Sequence, residues 1–586
     1  MSTLRQYGRL LAHYLRPQWK AAALLTVLIV GAISLQLINP QLVRRFLDAA
    51  ERGRSLQELL LTAGMFMGLA LLAQVLKVAG TYVGENVAWR ATNELRADLA
   101  LHCLKLDMDF HKRHKPGELI ERVDGDVNQL ANFFSQLVIE LGSNLLLLSG
   151  VLILLWLVDW RVGATITLIA VAAMFVLNWF NRRIVPRWQT VRQVESDLFG
   201  YLEEWLSGTE EIQTNRAGSY IMGRLFQLMR RRWRSMQSAQ RMSLYVMSLP
   251  TIIPTLAYVG AYLWGDSLYR GGVLTIGTVY IIFYYIDVIR GPLWGIQRQV
   301  QDLQRAAASM NRIINLLAEQ PVLPAAGERI LPEGALAVQF DGVCFYYADD
   351  PESAVLNDIT FELAPGSVLG LLGRTGSGKT TLTRLLLRFY DPTAGVVRLG
   401  RGNGQMWDLR DLSEEALRDG IGMVTQEVQL FHATVRDNLT LFDDGVDDER
   451  IHGALRELGL TPWLAALPHG LNTRLEAGAS LSAGEAQLLA LARVFLADAG
   501  LVILDEASSR LDPATEQLLE RALDRLLQGR TSIIIAHRLS TIRRADEIII
   551  LADGRILEKG ALAELATDHN SHFYHLLQVG MEEALA

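Results

Sequence analysis

Apolar residues are distributed in two ways along the chain, and the change comes near residue 320. Before it they gather in long runs, at Ala21 to Ile38, about Leu59 to Val83, Phe133 to Val158, Val162 to Phe180, Ser243 to Gly265 and Leu274 to Leu293. At 1.5 Å per helical residue, each run is long enough for a hydrocarbon core of roughly 30 Å. Beyond residue 320 the apolar runs are short: Val338 to Phe340, Val343 to Tyr347, Val368 to Leu372, Ile421 to Val424, Gly500 to Leu504, Thr531 to Ile535 and Glu547 to Leu551. Helical patterns separate most of these, and strands interleaved with helices predict a mostly parallel sheet covered on both faces.

Between the two regimes, 321–336 contains Pro321, Pro324, Gly327, Pro332 and Gly334, the composition of a linker. The expected organisation is therefore an all-α transmembrane domain of six helices over 1–320, a linker over 321–336, and an α/β domain over 337–586. Six spans put both ends of the first domain on one side. Residues 1 to 20 read as an interfacial helix, and the first run lacks a small-residue cleavage site, so it is expected to stay as a span.

Charge orients the spans. Seven Lys/Arg lie between the second and third runs and eleven between the fourth and fifth, against one each at Arg161 and Arg270; only the first outer loop, with Arg44, Arg45, Arg52 and Arg54, runs the other way. The positive-inside rule then places the N-terminus and both long connections in the cytoplasm. These connections keep a helical pattern and turn back near 110–117 and 210–219, about 35 to 40 Å from the membrane if helical throughout. Residues 1 to 320 hold 33 Lys/Arg against 24 Asp/Glu, whereas the whole chain carries 56 against 63, so the second half is acidic. The basic residues flank apolar runs instead of forming a stripe with aromatics, which favours a membrane surface over nucleic acid. Cys103 and Cys344 match no metal spacing and read as inert thiols.

Chemistry concentrates after Val368 to Leu372. Gly373-Arg374-Thr375-Gly376-Ser377-Gly378-Lys379-Thr380-Thr381 follows that strand and opens a helical pattern from Leu382 to Phe389. Glycines leave backbone N–H groups bare for phosphate oxygens, Lys379 brings a cation and Thr380 a hydroxyl for magnesium, at a helix N-terminus that favours anions. This marks the domain as a P-loop NTPase. Leu501 to Leu504 deliver Asp505 and Glu506, the first suited to hold magnesium, the second to polarise an attacking water. Gln426 and His537 end neighbouring strands. His111-Lys112-Arg113-His114-Lys115 has no carboxylate or cysteine partner and reads as a solvated surface rather than a metal site. Inside the spans Glu140 and Asp287 stand out, because charge in hydrocarbon is costly; Asp287 suits either a substrate path or an internal pair with Arg290 one turn on.

Together these motifs resemble an ABC transporter of the exporter type, a half-transporter with six spans fused to one nucleotide-binding domain, over essentially the whole length. The resemblance implies that Tyr347 stacks on adenine, that Gly373 to Thr381 form the Walker A loop, Gln426 the Q-loop, and Asp505 with Glu506 the Walker B pair. It further implies a D-loop at Ser509-Arg510-Leu511-Asp512, a switch histidine at His537, and coupling helices at the two cytoplasmic turns. ATP and Mg2+ are the implied ligands, and Thr380, Gln426 and Asp505 the implied metal contacts. The signature departs from LSGGQ: Leu481-Ser482-Ala483-Gly484-Glu485 adds a methyl at a close approach and a negative charge near a polyanion. Arg510 replaces a small residue in the D-loop. An altered signature beside an intact catalytic set implies a heterodimer with a second half-transporter, with a homodimer as the alternative. The implied function is ATP-driven export of a hydrophobic or amphipathic drug, lipid or peptide across a bacterial plasma membrane. An ATP-gated channel or an importer on the same fold is the alternative.

Overall fold

The structure, a computed structural model, describes residues 9–579 apart from 11, 136–139, 325, 403–404, 476–480, 506–512 and 536–538. Contacts divide the chain into two units, one of Met1–Lys105 with Lys115–Glu319, the other of Leu106–His114 with Gln320–Ala586.

In the first unit α1 (Trp19–Glu51) and α2 (Leu56–Lys105) come first among the long helices. The segment Met108–Arg113, α3, belongs to the second unit. Then follow α4 (Pro116–Ile120), α5 (Val127–Ser135), α6 (Gly142–Val158), α7 (Trp160–Ser207), α8 (Thr209–Thr214), α9 (Gly218–Arg270) and α10 (Ile276–Ala318). Among the described residues five helices are long and apolar enough to cross a membrane, and Gly142–Val158 is a shorter apolar one. Along α2, Leu60, Leu61, Met67, Leu71, Val75 and Val78 are all exposed. So much apolar surface facing outward is stable where the surrounding solvent is hydrocarbon. The 48 residues of α7 and 53 of α9 exceed what a bilayer core needs, so both helices continue well beyond it.

The interior of this unit is built by Val151 and Leu155 of α6, Val162 and Ile166 of α7, Ala261 of α9, and Ile281 and Ile282 of α10. Tyr285 is fully buried there. Its hydroxyl donates to the Leu37 carbonyl at 3.0 Å and accepts from Gln41 Nε2 at 2.9 Å, so no polar atom of the phenol is orphaned. One expectation changes at the first outer connection. Arg44 and Arg45 lie inside α1, and only four residues, Arg52 to Ser55, separate α1 from α2. Arg44 pairs with Asp48 at 3.7 Å, and Asp48 in turn accepts from Thr275 Oγ1 and Gly277 N at the start of α10, both at 3.0 Å.

Among the described residues the second unit contains two sheets. A six-stranded sheet runs β10-β9-β3-β8-β7-β6, with β3 (Val368–Leu372), β6 (Ile421–Val424), β7 (Leu501–Asp505), β8 (Thr531–Ile535) and β9 (Glu547–Ala552) parallel and β10 (Arg555–Ala561) antiparallel on β9. Residues alternate between two cores. Val502, Leu504 and Ile534 pack on one face, and Leu501, Ile503, Ile533 and Ile535 on the other. Burial on both faces explains why these strands are uninterruptedly apolar.

The sequence pattern did not anticipate the other sheet, which is antiparallel with order β2-β1-β4-β5. Its strands are β1 (Ala337–Phe345), β2 (Leu356–Leu363), β4 (Ala394–Gly402) and β5 (Gln405–Asp408). The two strands expected on either side of Asp341-Gly342 are one strand with irregular register between Phe340 and Val343. Most of 321–336 has no regular structure, yet it is stitched to this unit by Gly327 N to Arg410 O at 3.1 Å and Arg329 N to Asp411 O at 3.2 Å.

Register brings the strand ends to one edge. Leu371 of β3 lies beside Ile535 of β8, Ile535 beside Asp505 of β7, and Leu504 beside Val424 of β6. In open parallel sheets ligands bind outside this carboxyl edge.

Candidate functional site

Between β3 and α11 (Lys379–Leu386) the chain turns sharply, and two glycines are required there. Gly373 has φ +148° and a Cβ on it would lie 2.3 Å from the Leu551 carbonyl oxygen. Gly378 has φ +105°, with Leu356 Cδ2 2.6 Å from the same imagined atom. Neither position accepts a side chain without strain. The loop therefore keeps bare backbone where a phosphate chain would lie.

Three observations in the loop fit an anion. The Ser377 hydroxyl is buried and has no hydrogen-bond partner, a costly condition that an incoming oxygen would relieve. Lys379 is 8% exposed, and its Nζ donates to the carbonyls of Gly373 at 2.6 Å and Arg374 at 3.0 Å, so a positive charge is held inside the loop. Lys379 also opens α11, adding the helix N-terminus to the same place. Arg374, Thr375, Gly376 and Thr380 are exposed, whereas Thr381 is buried.

Thr381 leads to Tyr347, which lies just past β1. The Tyr347 hydroxyl is 3.1 Å from Thr381 Oγ1 and accepts from Arg384 Nη1 at 3.3 Å, so the ring is tied to α11. Phe345 and Tyr390 meet it nearly perpendicularly, with centroids 4.9 and 5.3 Å away. Burial pushes the Tyr390 phenol above its usual range. Sequence reasoning missed one further neighbour. Lys112 of α3, expected to be solvated, donates to Asp349 Oδ2 at 2.7 Å and lies 4.5 Å above the Tyr347 ring centroid. That hydrogen bond holds the lysine above its ordinary range and the carboxyl of Asp349 below its own. No short-range signal joins residues 237 positions apart; the fold alone reveals it.

Asp505 ends β7 half-buried, and Gln426 follows β6 in an exposed turn. Carboxylate, amide and hydroxyl oxygens are the hard donors magnesium takes, so Asp505, Gln426 and Thr380 suit that ion by chemistry. Glu506, the segment Ser509 to Asp512, and His537 lie outside the described residues.

Leu481 precedes α12 (Ala483–Ala497), and Ser482 is its N-cap. Ser482 Oγ accepts from Glu485 N at 3.3 Å, while Glu485 Oε2 accepts from Ser482 N at 2.7 Å, a reciprocal capping box. Ala483 is exposed and Gly484 buried.

In the first unit Glu140 is exposed beside α6, and Asp287 is exposed on α10. The partner of Asp287 is not the helical neighbour Arg290. Tyr258 of α9 donates its hydroxyl to Asp287 at 2.6 Å, since α9 and α10 pack together. An intramembrane carboxylate needs such a donor, and a tyrosine on a neighbouring span is the signal that was available. Arg290 instead lines a small cavity with Ile166, Ile253, Ala257 and Ile289.

Residues 22–293 match the model of the ABC transporter transmembrane region, and 356–509 match that of the ABC transporter domain. An uncharacterized ABC transporter ATP-binding protein of Bacillus subtilis, YknV, is 32% identical over 95% of this chain and 91% of its own length. A probable multidrug resistance ABC transporter ATP-binding/permease protein of the same species, YheH, is 31% identical over 89% of this chain and 77% of its own. An ATP-dependent lipid A-core flippase of Burkholderia pseudomallei is 30% identical over 96% and 94%. A bacterial Atm1-family ABC exporter solved with ATP bound has the same fold, with a TM-score of 0.76, 24% identity, and 96% of this chain and 98% of that one covered.

Proposed function

Because the chain belongs to the ABC transporter family of ATP-driven exporters, we propose that it is one half of a two-chain pump. Each nucleotide is bound by one chain and closed over by the signature of the other. The observation that carries this reading is the buried, unpartnered Ser377 hydroxyl beside an internally held Lys379, in a chain whose other unit turns apolar side chains outward.

Tyr347 takes the base, Gly373 to Thr381 the phosphates, and Lys379 supplies positive charge to their end. Thr380, Gln426 and Asp505 hold magnesium, which when bound neutralises phosphate charge. Glu506 polarises water, His537 contacts the terminal phosphate, and Ser509 to Asp512 face the second chain. Closure around two ATPs is passed to the spans through the turns near 110–117 and 210–219. Access then swaps from inward to outward as a population shift, and hydrolysis resets it.

The partner is a different half-transporter with a regular signature, and this chain's Ser482 to Glu485 cap the slower of the two sites. Cargo is hydrophobic or amphipathic, a drug, lipid or peptide. Relatives named for multidrug resistance and for lipid A-core flipping support that class, as do the half-buried Tyr258 and the exposed Tyr262, Tyr284 and Asp287 on adjoining helices. The charge of the long connections supports cytoplasmic termini in a bacterial plasma membrane.

The test is Glu506→Gln in the membrane-embedded protein, which should trap ATP and abolish steady-state hydrolysis. Undiminished turnover would contradict the role of Glu506. Uptake of tracer into inside-out vesicles separates export from import, and current without stoichiometric hydrolysis would mark a channel. A stable dimer with normal turnover from the chain expressed alone would refute the two-subunit reading.

A further inference from the structure

Lys112 forms a closed triangle with Tyr347 and Asp349. Its ammonium lies over the face of the ring, and its hydrogen bond goes to a carboxylate two residues along the same loop. Both members of the ion pair are about half exposed, with side chains 46% and 56% accessible, and such pairs add little to stability. The geometric consequence is larger. The hydroxyl of Tyr347 is tied to Thr381 and Arg384, Phe345 and Tyr390 stand perpendicular to its ring, and Lys112 covers one face. Yet the residue remains half-buried.

We propose that Lys112 is a positioning residue for the nucleotide base: it fixes the Tyr347 ring from one face so that the opposite face receives the base. This rests on the reading of Tyr347 as the base platform. A ring already held in its binding orientation loses less freedom when a base stacks on it, so affinity rises without any contact between Lys112 and the ligand. A cation over an aromatic face is favourable, and most so where water is displaced, as it is when a base covers the other side. Lys112 thereby acts on the base-dependent part of binding and not on the phosphates, which are gripped at Gly373 to Thr381.

The experiment compares equilibrium binding of ATP with that of inorganic tripolyphosphate, which has no base, to the full-length protein in nanodiscs. Lys112→Gln should weaken ATP by about 3- to 10-fold, leave tripolyphosphate unchanged, and be rescued by Lys112→Arg, which keeps the cation over the ring. The unchanged tripolyphosphate affinity also shows that the variant is folded. Tyr347→Ala serves as the reference. Loss of ATP affinity there, with none in Lys112→Gln, overturns the positioning role alone. Tighter ATP binding in Lys112→Gln overturns it as well, since the lysine would then be competing for the face the base needs. Equal weakening of both ligands means a general structural role and also overturns it. ATP affinity untouched by Tyr347→Ala removes the platform reading itself.

Discussion

Glu485 Oε2 accepts a hydrogen bond from the backbone N–H of Ser482 at 2.7 Å, and Ser482 Oγ accepts from Glu485 N in return. The helix Ala483–Ala497, which opens at the proposed signature, is thus capped at its N-terminus by a carboxylate of its own first turn. That arrangement is good for the helix and poor for an approaching phosphate, because the dipole and the first N–H groups already face a negative charge.

Glu485→Gln keeps the capping geometry and removes the charge. Turnover at the site that Ser482 to Glu485 are proposed to close should rise several-fold in the reconstituted pump, with the unfolding temperature nearly unchanged. Glu485→Ala loses the cap too and should cost about 1 kcal/mol of helix stability. ATPase assays beside thermal unfolding separate the two effects. If Gln gives no gain in turnover, charge at this position does not limit the site.

The Lys112 and Asp349 pair makes a statement about pH. Asp349 is held below the usual carboxylate range and Lys112 above the usual lysine range, each chiefly by the hydrogen bond between them. The carboxylate's contribution is complete above its unfolded pKa and fades only as pH falls through a still lower folded value. The ammonium's contribution is complete below its unfolded pKa and fades as pH rises through a higher folded one. Tyr347, Tyr390, Arg384 and Asp109 are further titratable groups felt in this cluster, and Tyr390 is pushed up by burial. The ratio of ATP affinities between wild type and Lys112→Gln should therefore stay flat from about pH 5 to 9. Binding curves at several pH values check it, and a step near neutrality would mean that a histidine, not this pair, sets the ring.

Gly373 and Gly378 test the loop itself. Alanine at either position meets backbone oxygen closer than 3 Å and must adopt a positive φ, as the Leu551 carbonyl at 2.3 Å and the Val355 carbonyl at 2.9 Å indicate. Each substitution should destabilise the loop by about 1 to 3 kcal/mol and reduce ATP affinity at least tenfold. Gly376 also has positive φ, +85°, but open space around it. Gly376→Ala should cost less than either, and isothermal titration of the three variants would show the order.

How far the sequence carries is visible in these elements. Parallel strands were legible because burial on both faces writes an unbroken apolar run, as in β3 and β8, every residue of which is buried. The antiparallel sheet was not, because β2 buries Leu356, Ile359, Phe361 and Leu363 and sends Asp358, Thr360 and Glu362 outward, so half its residues look like loop. The glycine turn from β3 into α11 was legible because its residues adjoin in sequence. Lys112 was not, since a run of five basic and histidine residues has the composition of a solvated turn whatever it packs against. The pairing of Asp287 with Arg290 failed for a related reason: spacing along a helix names candidate partners, and packing between helices chooses among them.

That choice can be tested in the membrane. Asp287 is a carboxylate within a span, and the Tyr258 hydroxyl 2.6 Å away stabilises it. Tyr258→Phe removes the donor and leaves the charge short of a partner, which should lower thermal stability by roughly 1 to 3 kcal/mol. Asp287→Asn removes the charge and keeps an acceptor for the tyrosine, so stability should hold. If Asp287 faces the transport path, Asp287→Asn should leave basal ATP turnover within about twofold, a margin below 0.5 kcal/mol. The same variant should change which hydrophobic or amphipathic compounds stimulate turnover, with cationic ones losing most because the attracting charge is gone. A stimulation profile identical to that of wild type across such a panel would assign Asp287 to helix packing alone, and the Tyr258 bond would then be its whole purpose.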